Sequence, residues 1–334
     1  MHRELATTAR APIGVVLMNL GGPDRPEAVR PFLLELFRDP EVLKLPGGAP
    51  VRHALAWLIA TLRAPGVKRN YAAVGGSPLL PRTRAQERAL EERLNEQAGE
   101  RRFVVRTAMR YWAPRARDAL AELQAAGVER LVALPLYPHS CRATTGSSWR
   151  ELDALAAQEL PALPRTLIES YARDAGYLAA LTRCVEEGLA QARAAGHGEP
   201  TLLFSAHGLP QRIVDAGDPY LAEIEATVAG VRARLADFAG PVELSFQSRA
   251  GPVKWLEPAT STTLHRLGAA GCKALVIVPV SFVSDHIETV HEIDIELAAE
   301  ARAAGIAAFV RTPALDVRRD FIDALAAQVH GALR

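Results

Sequence analysis

The sequence predicts an α/β fold in which one half, a parallel sheet flanked by helices, is used twice. Short apolar runs alternate with longer helix-forming segments, as expected for parallel strands joined by helices. There is also an internal similarity between AGVERLVALP at 126–135 and AGCKALVIVP at 270–279. Each copy is a helix end with a Gly stop, then a strand, then a Pro. Duplication explains the similarity, and a chance match is the alternative.

The elements follow in order along the chain. Helices are predicted where good helix formers place apolar residues three and four positions apart, at 51–64, 84–97, 115–126 and 220–238. The strands are predicted at 14–20, 103–107, 130–134, 201–205, 243–246 and 274–278.

Composition excludes several classes of protein. The 334 residues carry a net charge of +1 without a basic run, which disfavours a nucleic-acid partner. The first twelve residues lack the apolar core of a secretory signal, and the apolar run at 13–20 is too short to span a bilayer. Three cysteines without a Cys-x-x-Cys pair indicate a reducing compartment, so we expect a cytoplasmic protein.

Ligands of such sheets bind beyond the carboxyl ends of the strands, so the segments after each strand are the candidates for a site. His207 follows the strand at 201–205, within the run AHGLP. Such a His serves as a base or metal ligand, and the alternative is a His hydrogen-bonded in a turn.

Three carboxylates follow the strand at 274–278. Glu288, Glu292 and Glu296 have the i, i+4 and i+8 spacing of one helix face. Because like charges at this spacing repel, the row needs either solvent or a cation, and both interpretations remain open. Mixed carboxylate and imidazole ligands suit hard and borderline divalent ions.

Two further segments allow a functional and a structural interpretation. The run TTGSS at 144–148 enters a helix, either as an anion-binding terminus or as an ordinary capped start. The helix at 51–64 places Val51, Leu55, Leu58, Ile59 and Leu62 on one face, for a membrane surface or for the core. No Gly-x-Gly-x-x-Gly or P-loop is present, so no nucleotide site is expected.

Taken together, short motifs along most of the chain resemble the ferrochelatase family. In order, these motifs are LMNLGGP at 17–23, GGSPL at 75–79, MRY at 109–111, LYP at 136–138, TTGSS at 144–148, FSAHGLP at 204–210, FQSR at 246–249, GPVKWL at 251–256 and FVSDHIETVHE at 282–292. Each piece alone is weak, and their joint order is specific.

The resemblance implies two Rossmann-like halves with a porphyrin cleft between them, a chelatase-like architecture. It divides the chain into an N-terminal half at 1–165, a C-terminal half with the metal-site residues at 166–315, and a C-terminal helix at 316–334 that we expect to pack back on the first half. It also implies that His207 and Glu288 are catalytic and bind the metal, and that Asp285, His286 and Glu292 belong to the metal site as its surrounding polar network. The positions that line or grip the macrocycle are Leu20, Arg63, Ser77, Arg110, Tyr111, Tyr137, Trp255 and Phe282.

The expected reaction is the insertion of Fe²⁺ into protoporphyrin IX with release of two protons. Fe²⁺ is thus a substrate, and His207, with a reference pKa of about 6.5, is expected to be neutral enough to accept a proton. We expect the imidazole and the Glu288 carboxylate to come from separate halves and to meet over the centre of the macrocycle. The alternatives are a chelatase for coproporphyrin III or cobalt, and a tetrapyrrole or metal carrier without catalysis.

The chain departs from the family in one of these motifs. The usual Tyr-Ser after Tyr-Pro-Gln is Ser140-Cys141 here, after His139. Some relatives hold a [2Fe-2S] cluster on four cysteines, whereas this sequence has three, so no cluster is expected. We expect a monomer or homodimer with peripheral contact to the inner membrane face through the helix at 51–64.

Overall fold

Two parallel four-stranded sheets form the framework of the protein. The computed structural model describes residues 11–99, 101–249 and 251–334. Most of the N-terminal segment 1–12, in which no secretory signal is expected, lies outside these described residues. The first sheet has the order β2-β1-β3-β4 and the second β6-β5-β7-β8. The strands are β1 (Ile13–Asn19), β2 (Phe103–Met109), β3 (Arg130–Pro135), β4 (Arg165–Leu167), β5 (Thr201–His207), β6 (Val242–Gln247), β7 (Ala274–Pro279) and β8 (Ala308–Arg311).

Helices connect the strands and cover the sheets. They are α1 (Val29–Arg38), α2 (Ala49–Ala73), α3 (Leu79–Gln97), α4 (Ala116–Ala125), α5 (Ser147–Glu159), α6 (Ala175–Ala194), α7 (Gln211–Asp215), α8 (Tyr220–Arg232), α9 (Thr260–Ala269), α10 (Ala298–Ala303) and α11 (Arg319–Gly331), with a 3-10 turn at Pro26–Ala28. Two π-helical segments, Arg142–Gly146 and Glu288–Leu297, follow β3 and β7. Within the described residues, no helix is both long enough and apolar enough to cross a bilayer.

The common strand order confirms that the two halves share one topology. The strand register shows which positions of the two halves are equivalent. Met18 lies beside Pro135, which ends β3, and Ser205 lies beside Pro279, which ends β7, so Met18 and Ser205 are equivalent. Two residues further along each strand, Leu20 of the first half is therefore equivalent to His207 of the second. The edge strands β4 and β8 were not predicted, because at three and four residues they are too short to give a clear apolar run.

The halves share one continuous apolar core. Val15 and Leu17 of the first sheet, Phe204 and Val278 of the second, and Phe321 of α11 belong to the same buried cluster. Helix α11 packs against both α3 and α6. Strand β4 belongs to the first sheet and lies on both sides of the predicted division at 165–166. The position of that division stays a prediction.

Helix α2 presents its large apolar residues to solvent. Its buried residues are mainly small, Ala56, Ala60 and Ala64, whereas Leu58 and Leu62 are 46% and 72% exposed. Of the predicted face, Leu55 and Ile59 are half-buried, so the core-facing interpretation is wrong for the other three residues. A neighbouring stripe of alanines packs α2 closely on α1 instead.

Candidate active site

A cleft of about 210 Å³ opens where the carboxyl ends of the strands of both halves meet. Most of its surface is apolar, and among the described residues no Lys or Arg side chain lines it. The residues on its walls are Asn19, Leu20, Gly21, Phe32, Leu36, Tyr71, Ser77, Leu79, Leu136, Tyr137, His139, Cys141, Thr144, His207, Leu209, Tyr220, Ser281, Phe282, Val283, Ser284, His286, Ile287 and Glu288.

His207 and Glu288 meet directly on one wall of this cleft. His207 Nδ1 lies 2.7 Å from Oε2 of Glu288, and 37% and 25% of the two side chains remain exposed. The expectation that separate halves carry them is wrong, because β5 and the helix after β7 are neighbours in the second half. The Leu20 side chain stands at the equivalent position of the first half and lines the same cleft.

The second half holds the His207 backbone rigidly. Its N–H donates to Ser281 Oγ at 3.0 Å, and Tyr220 donates its hydroxyl to the His207 carbonyl at 3.0 Å. Ser281 follows β7, and Tyr220 begins α8, so a loop after a strand and the start of a helix together fix the position of the imidazole.

The pair shifts the pKa values of both partners. Burial lowers the pKa of His207, but the charge and hydrogen bond of Glu288 outweigh burial, so the pKa ends above its ordinary value. Burial raises the pKa of Glu288, but the imidazole and neighbouring donors bring it down to about 2. The site is therefore poised as a carboxylate joined to an imidazole of increased basicity.

The carboxylates after β7 lie on a π-helix instead of the predicted α-helix. A π-helix of ten residues is unusual, and such segments occur frequently at functional sites. Glu288 lies in the cleft, Glu292 is half-buried behind it, and the Glu296 side chain is 52% exposed, with Oε1 3.6 Å from His291 Nδ1. The row thus leads from the cleft towards the surface.

Ser248, after β6, joins the first two of these carboxylates. Its Oγ lies 2.8 Å from Oε2 of Glu288 and 2.5 Å from Oε2 of Glu292. Burial and then the Glu288 charge raise the pKa of Glu292 above its ordinary range. The two neighbouring carboxyl groups therefore differ in how readily they ionise.

His286 and Asp285 face in different directions. His286 lines the cleft, and its ring centroid lies 4.2 Å from that of Phe282. Burial lowers the pKa of His286, which favours the uncharged ring at neutral pH. Asp285 lies outside the cleft lining and pairs with Arg311 at 2.7 Å and with Arg82 at 3.3 Å. The structure therefore brings His286 to the same cleft as His207 and Glu288 and does not bring Asp285 there.

The eight expected macrocycle contacts divide into two groups. Leu20, Ser77, Tyr137 and Phe282 line the cleft. Arg63, Arg110, Tyr111 and Trp255 lie outside its lining.

Each residue of the second group has a local reason for its position. Arg110 is held by Asp39 at 2.9 Å and by Glu151 at 3.2 Å, and the Tyr111 hydroxyl donates to the same Asp39 carboxylate. Arg63 is exposed on α2. Trp255 packs beside Gly208, where an added Cβ would lie 3.5 Å from the Trp255 ring. Arg110 is therefore engaged by protein carboxylates instead of being free for a substrate carboxylate.

The segment that departs from the family lies in the cleft wall. His139 and Cys141 are both buried there, and His139 Nε2 lies 2.9 Å from the Thr227 hydroxyl. Burial lowers the pKa of His139 to about 3 and raises that of Cys141 to about 12. Both side chains are therefore uncharged at neutral pH.

Sequence reasoning assigned no role to Tyr71, Tyr220, Ser248 and Ser281. Ser248 and Ser281 follow strands, so the rule that ligands bind beyond strand ends contained a signal for both. Tyr71 and Tyr220 lie on helices, and only the docking of those helices brings them to the cleft.

No group of three or more His, Cys, Asp and Glu side chains within residues 11–99, 101–249 and 251–334 is arranged to hold a metal ion. His207 and Glu288 therefore offer two ligands on an open wall, which differs from the closed four-ligand geometry of a structural zinc site.

Comparisons with solved structures show the fold. SirB from Bacillus subtilis with Fe³⁺ matches with a TM-score of 0.57 at 9% identity, over 96% of this chain and 95% of that chain. The sirohydrochlorin chelatase SirB from Bacillus subtilis subspecies spizizenii in complex with cobalt matches with a TM-score of 0.54 at 8% identity, with the same coverage of 96% and 95%. The arrangement of two Rossmann-like halves is thus shared with chelatases.

Sequence comparisons show the family. The family model described as Ferrochelatase matches residues 12–333. A ferrochelatase of Geotalea uraniireducens is 48% identical over 317 residues, which cover 95% of this chain and 96% of that protein. One of Gloeobacter violaceus is 45% identical over 326 residues, covering 96% and 97%. The chain therefore belongs to the ferrochelatase family, the metal chelatases of haem biosynthesis.

Proposed function

We propose that this protein inserts Fe²⁺ into protoporphyrin IX to form protohaem, with release of two protons. The observation that carries the proposal is the hydrogen bond of 2.7 Å between His207 and Glu288 on the wall of an apolar cleft between the halves. One base and one carboxylate at such a place can remove the pyrrole protons and guide a divalent ion.

The cleft walls supply the strain that the reaction needs. A free porphyrin is planar and carries two N–H protons, so its nitrogen lone pairs do not point at an incoming ion. Apolar contacts with Leu20, Tyr137 and Phe282 bind the rest of the ring, and this binding energy offsets the cost of bending it. Leu20 stands at the position equivalent to His207, which puts an apolar contact on one wall and the base on the other.

His207 accepts the pyrrole protons. With Nδ1–H held by Glu288, the uncharged ring presents the Nε2 lone pair, and the carboxylate makes this nitrogen more basic. Each pyrrole proton passes to Nε2 and then leaves the site, so two protons depart as one Fe²⁺ enters. Glu288, Glu292 and Glu296 form the row along which Fe²⁺ arrives or protons leave.

The apolar character of the described cleft lining favours protoporphyrin over coproporphyrin. A buried carboxylate without a partner is costly, and no Lys or Arg lines this part of the described chain. Coproporphyrin carries a carboxylate on every pyrrole, whereas protoporphyrin carries its two on one edge. That edge can face α2, where Arg63, Lys68 and Arg69 are exposed.

The test is an insertion assay with Fe²⁺ and protoporphyrin, followed by the visible absorption bands of the macrocycle. Repeated turnover is expected, whereas a carrier would bind stoichiometrically and stop. The same assay with coproporphyrin III and with Co²⁺ separates the alternative chelatase functions. Faster turnover of coproporphyrin would contradict the proposed substrate.

The variants His207→Ala and Glu288→Gln test the site itself. Each is expected to lower kcat by at least about a hundredfold, since a positioned base contributes that much, while porphyrin binding is retained. His265→Ala is the matched control, because the His265 side chain is 60% exposed on α9. Normal turnover by His207→Ala would remove the imidazole from the mechanism.

We also propose that α2 contacts a membrane surface at the cytoplasmic face. Trp57 and Leu58 are both 46% exposed beside the cations of the same helix. Apolar side chains next to basic ones are typical of helices that lie in an anionic bilayer interface. The oligomeric state, monomer or homodimer, stays an expectation.

No resident cofactor is part of the proposal. The three cysteines are one fewer than the four thiolates of a [2Fe-2S] cluster, and Fe²⁺ enters as substrate. The family resemblance supports the proposed division into halves at 1–165 and 166–315 with a terminal helix at 316–334.

A further inference from the structure

Ser248 holds an unusual position between two carboxylates. Its hydroxyl lies within hydrogen-bond distance of both Glu288 and Glu292, and its backbone N–H donates to Oε1 of Glu292 at 2.7 Å. A hydroxyl has a single proton, so it donates to one of these carboxylates at a time while lying between two groups that otherwise repel each other.

The backbone of Ser248 is strained. Its φ of 62° lies in the left-handed region, which Gly enters freely and which other residues enter only at an energetic cost. Glycine at this position would relieve the strain but would lack the hydroxyl. We therefore attribute the strained conformation to the hydroxyl's contacts with the two carboxylates, which it makes possible.

The surroundings of Ser248 are built to hold this contact. Gln247 donates from Nε2 to Glu292 Oε2 and to the Glu288 carbonyl, both at 3.2 Å. Gln247 is itself oriented by Ser205, which donates its hydroxyl to Oε1 at 2.7 Å from inside the sheet. The end of β6 is thus tied to the π-helix by side chains that are rigidly placed.

We propose that Ser248 is a positioning residue of the metal site, whose hydroxyl keeps Glu288 and Glu292 aligned to receive a divalent cation. The inference rests on the proposed function, because it assigns these carboxylates to the path of the metal. Without the hydroxyl, repulsion moves the Glu292 carboxylate away from Glu288, and the entering ion loses a preformed pair of oxygen ligands.

The kinetic test compares the KM for Fe²⁺ with the KM for protoporphyrin. Ser248→Ala is expected to raise the KM for Fe²⁺ about tenfold, the effect typical of losing a partner of a metal ligand, and to leave the porphyrin KM within about twofold. Ser248→Gly removes the hydroxyl and also relieves the backbone strain, so it is expected to show the same metal defect in a protein at least as stable as Ser248→Ala.

Ser245→Ala, on the strand β6 that leads to Ser248, is the matched control. The Ser245 hydroxyl is buried and lies 2.9 Å from Thr260 Oγ1, without contact to the carboxylates. This variant is expected to lose stability while keeping the KM for Fe²⁺, so a general weakening of the second half is distinguished from a loss of positioning.

A binding measurement separates this inference from the proposed reaction. Calorimetric titration of the porphyrin-free protein with Zn²⁺ is expected to show about tenfold weaker binding in both Ser248 variants than in the wild type. Unchanged Zn²⁺ affinity and Fe²⁺ KM in both variants would overturn the role of Ser248, as would wild-type behaviour of Ser248→Gly alone. If the wild type binds Zn²⁺ but inserts no metal, the proposed function fails and the titration still decides the role of Ser248.

Discussion

At the scale of single residues, the chemistry of this site depends on pairs. Burial alone lowers the pKa of the His207 ring, and its increased basicity comes from Glu288, which lies 81 positions away in the sequence. Likewise, Arg110 is free to bind a carboxylate only if no protein carboxylate holds it, and Asp39 does hold it. The function of a side chain is therefore set by its nearest partner.

Glu288→Gln is expected to lower the pKa of His207. The substitution removes the charge that raises this pKa, whereas the burial that lowers it remains. A histidine NMR titration of the free protein measures the effect, with exposed His265 as an internal control. An unchanged or higher pKa in the variant would mean that Glu288 does not govern the imidazole.

The same shifts predict how the stability of the pair depends on pH. Because the pKa of Glu288 falls from 4.5 to about 2 on folding, its contribution is present above pH 4.5 and is lost as the pH drops towards 2. Because the pKa of His207 is raised, its contribution is present below about pH 6.5 and is lost as the pH rises through the folded value. The pair therefore stabilises the fold most between these limits, and denaturant unfolding measured across this pH range checks the expectation.

At the scale of elements, two helices differ from what local periodicity indicates. Glu288–Leu297 is a π-helix, and α2 buries its alanines instead of its large apolar side chains. Periodicity identifies that a helix exists and which residues share a face. It does not identify which neighbour that face meets, and the partner of α2 is the closely packed α1.

Trp57→Ser with Leu58→Ser is expected to reduce membrane binding at least about tenfold, because burial of these two apolar side chains in a bilayer interface contributes several kcal/mol. Flotation with vesicles containing phosphatidylglycerol measures the bound fraction, and raised salt should weaken binding of the wild type. Val317→Ser is the control, an apolar side chain that is 48% exposed elsewhere on the surface. Equal flotation of all three proteins would exclude α2 as the contact.

At the scale of the whole molecule, two similar halves behave as one body. Their apolar cores are continuous, and α11 packs against α3 of the first half and α6 next to the second sheet. Charged contacts reinforce the junction, since Arg93 Nε lies 2.5 Å from Asp323 of α11. A cleft between halves keeps its shape only if such contacts hold them together.

Phe321→Ala is expected to destabilise the protein by about 3–5 kcal/mol while unfolding stays a single transition. Phe321 is fully buried in α11 and belongs to the core that both halves share. Differential scanning calorimetry measures the effect, with Val317→Ala as an exposed control. Two separate transitions, with only one displaced, would show that the halves fold independently.

Much of the fold was predictable because its signals are local. The six predicted strands are present within two residues of their expected bounds, and the similarity of 126–135 to 270–279 corresponds to equivalent strands. The short motifs also identified the family over most of the chain, since each depends on residues that are neighbours in sequence. The position of His207 at a strand end follows from the same local information.

Only tertiary packing decided which of these residues meet. It put His207 and Glu288 on one wall, turned Asp285 towards Arg311, and placed Ser248 between two carboxylates. The physical reason is that such contacts join segments dozens of positions apart, and their geometry depends on strand order and helix docking. A local sequence pattern determines neither the order of the strands nor the docking of the helices.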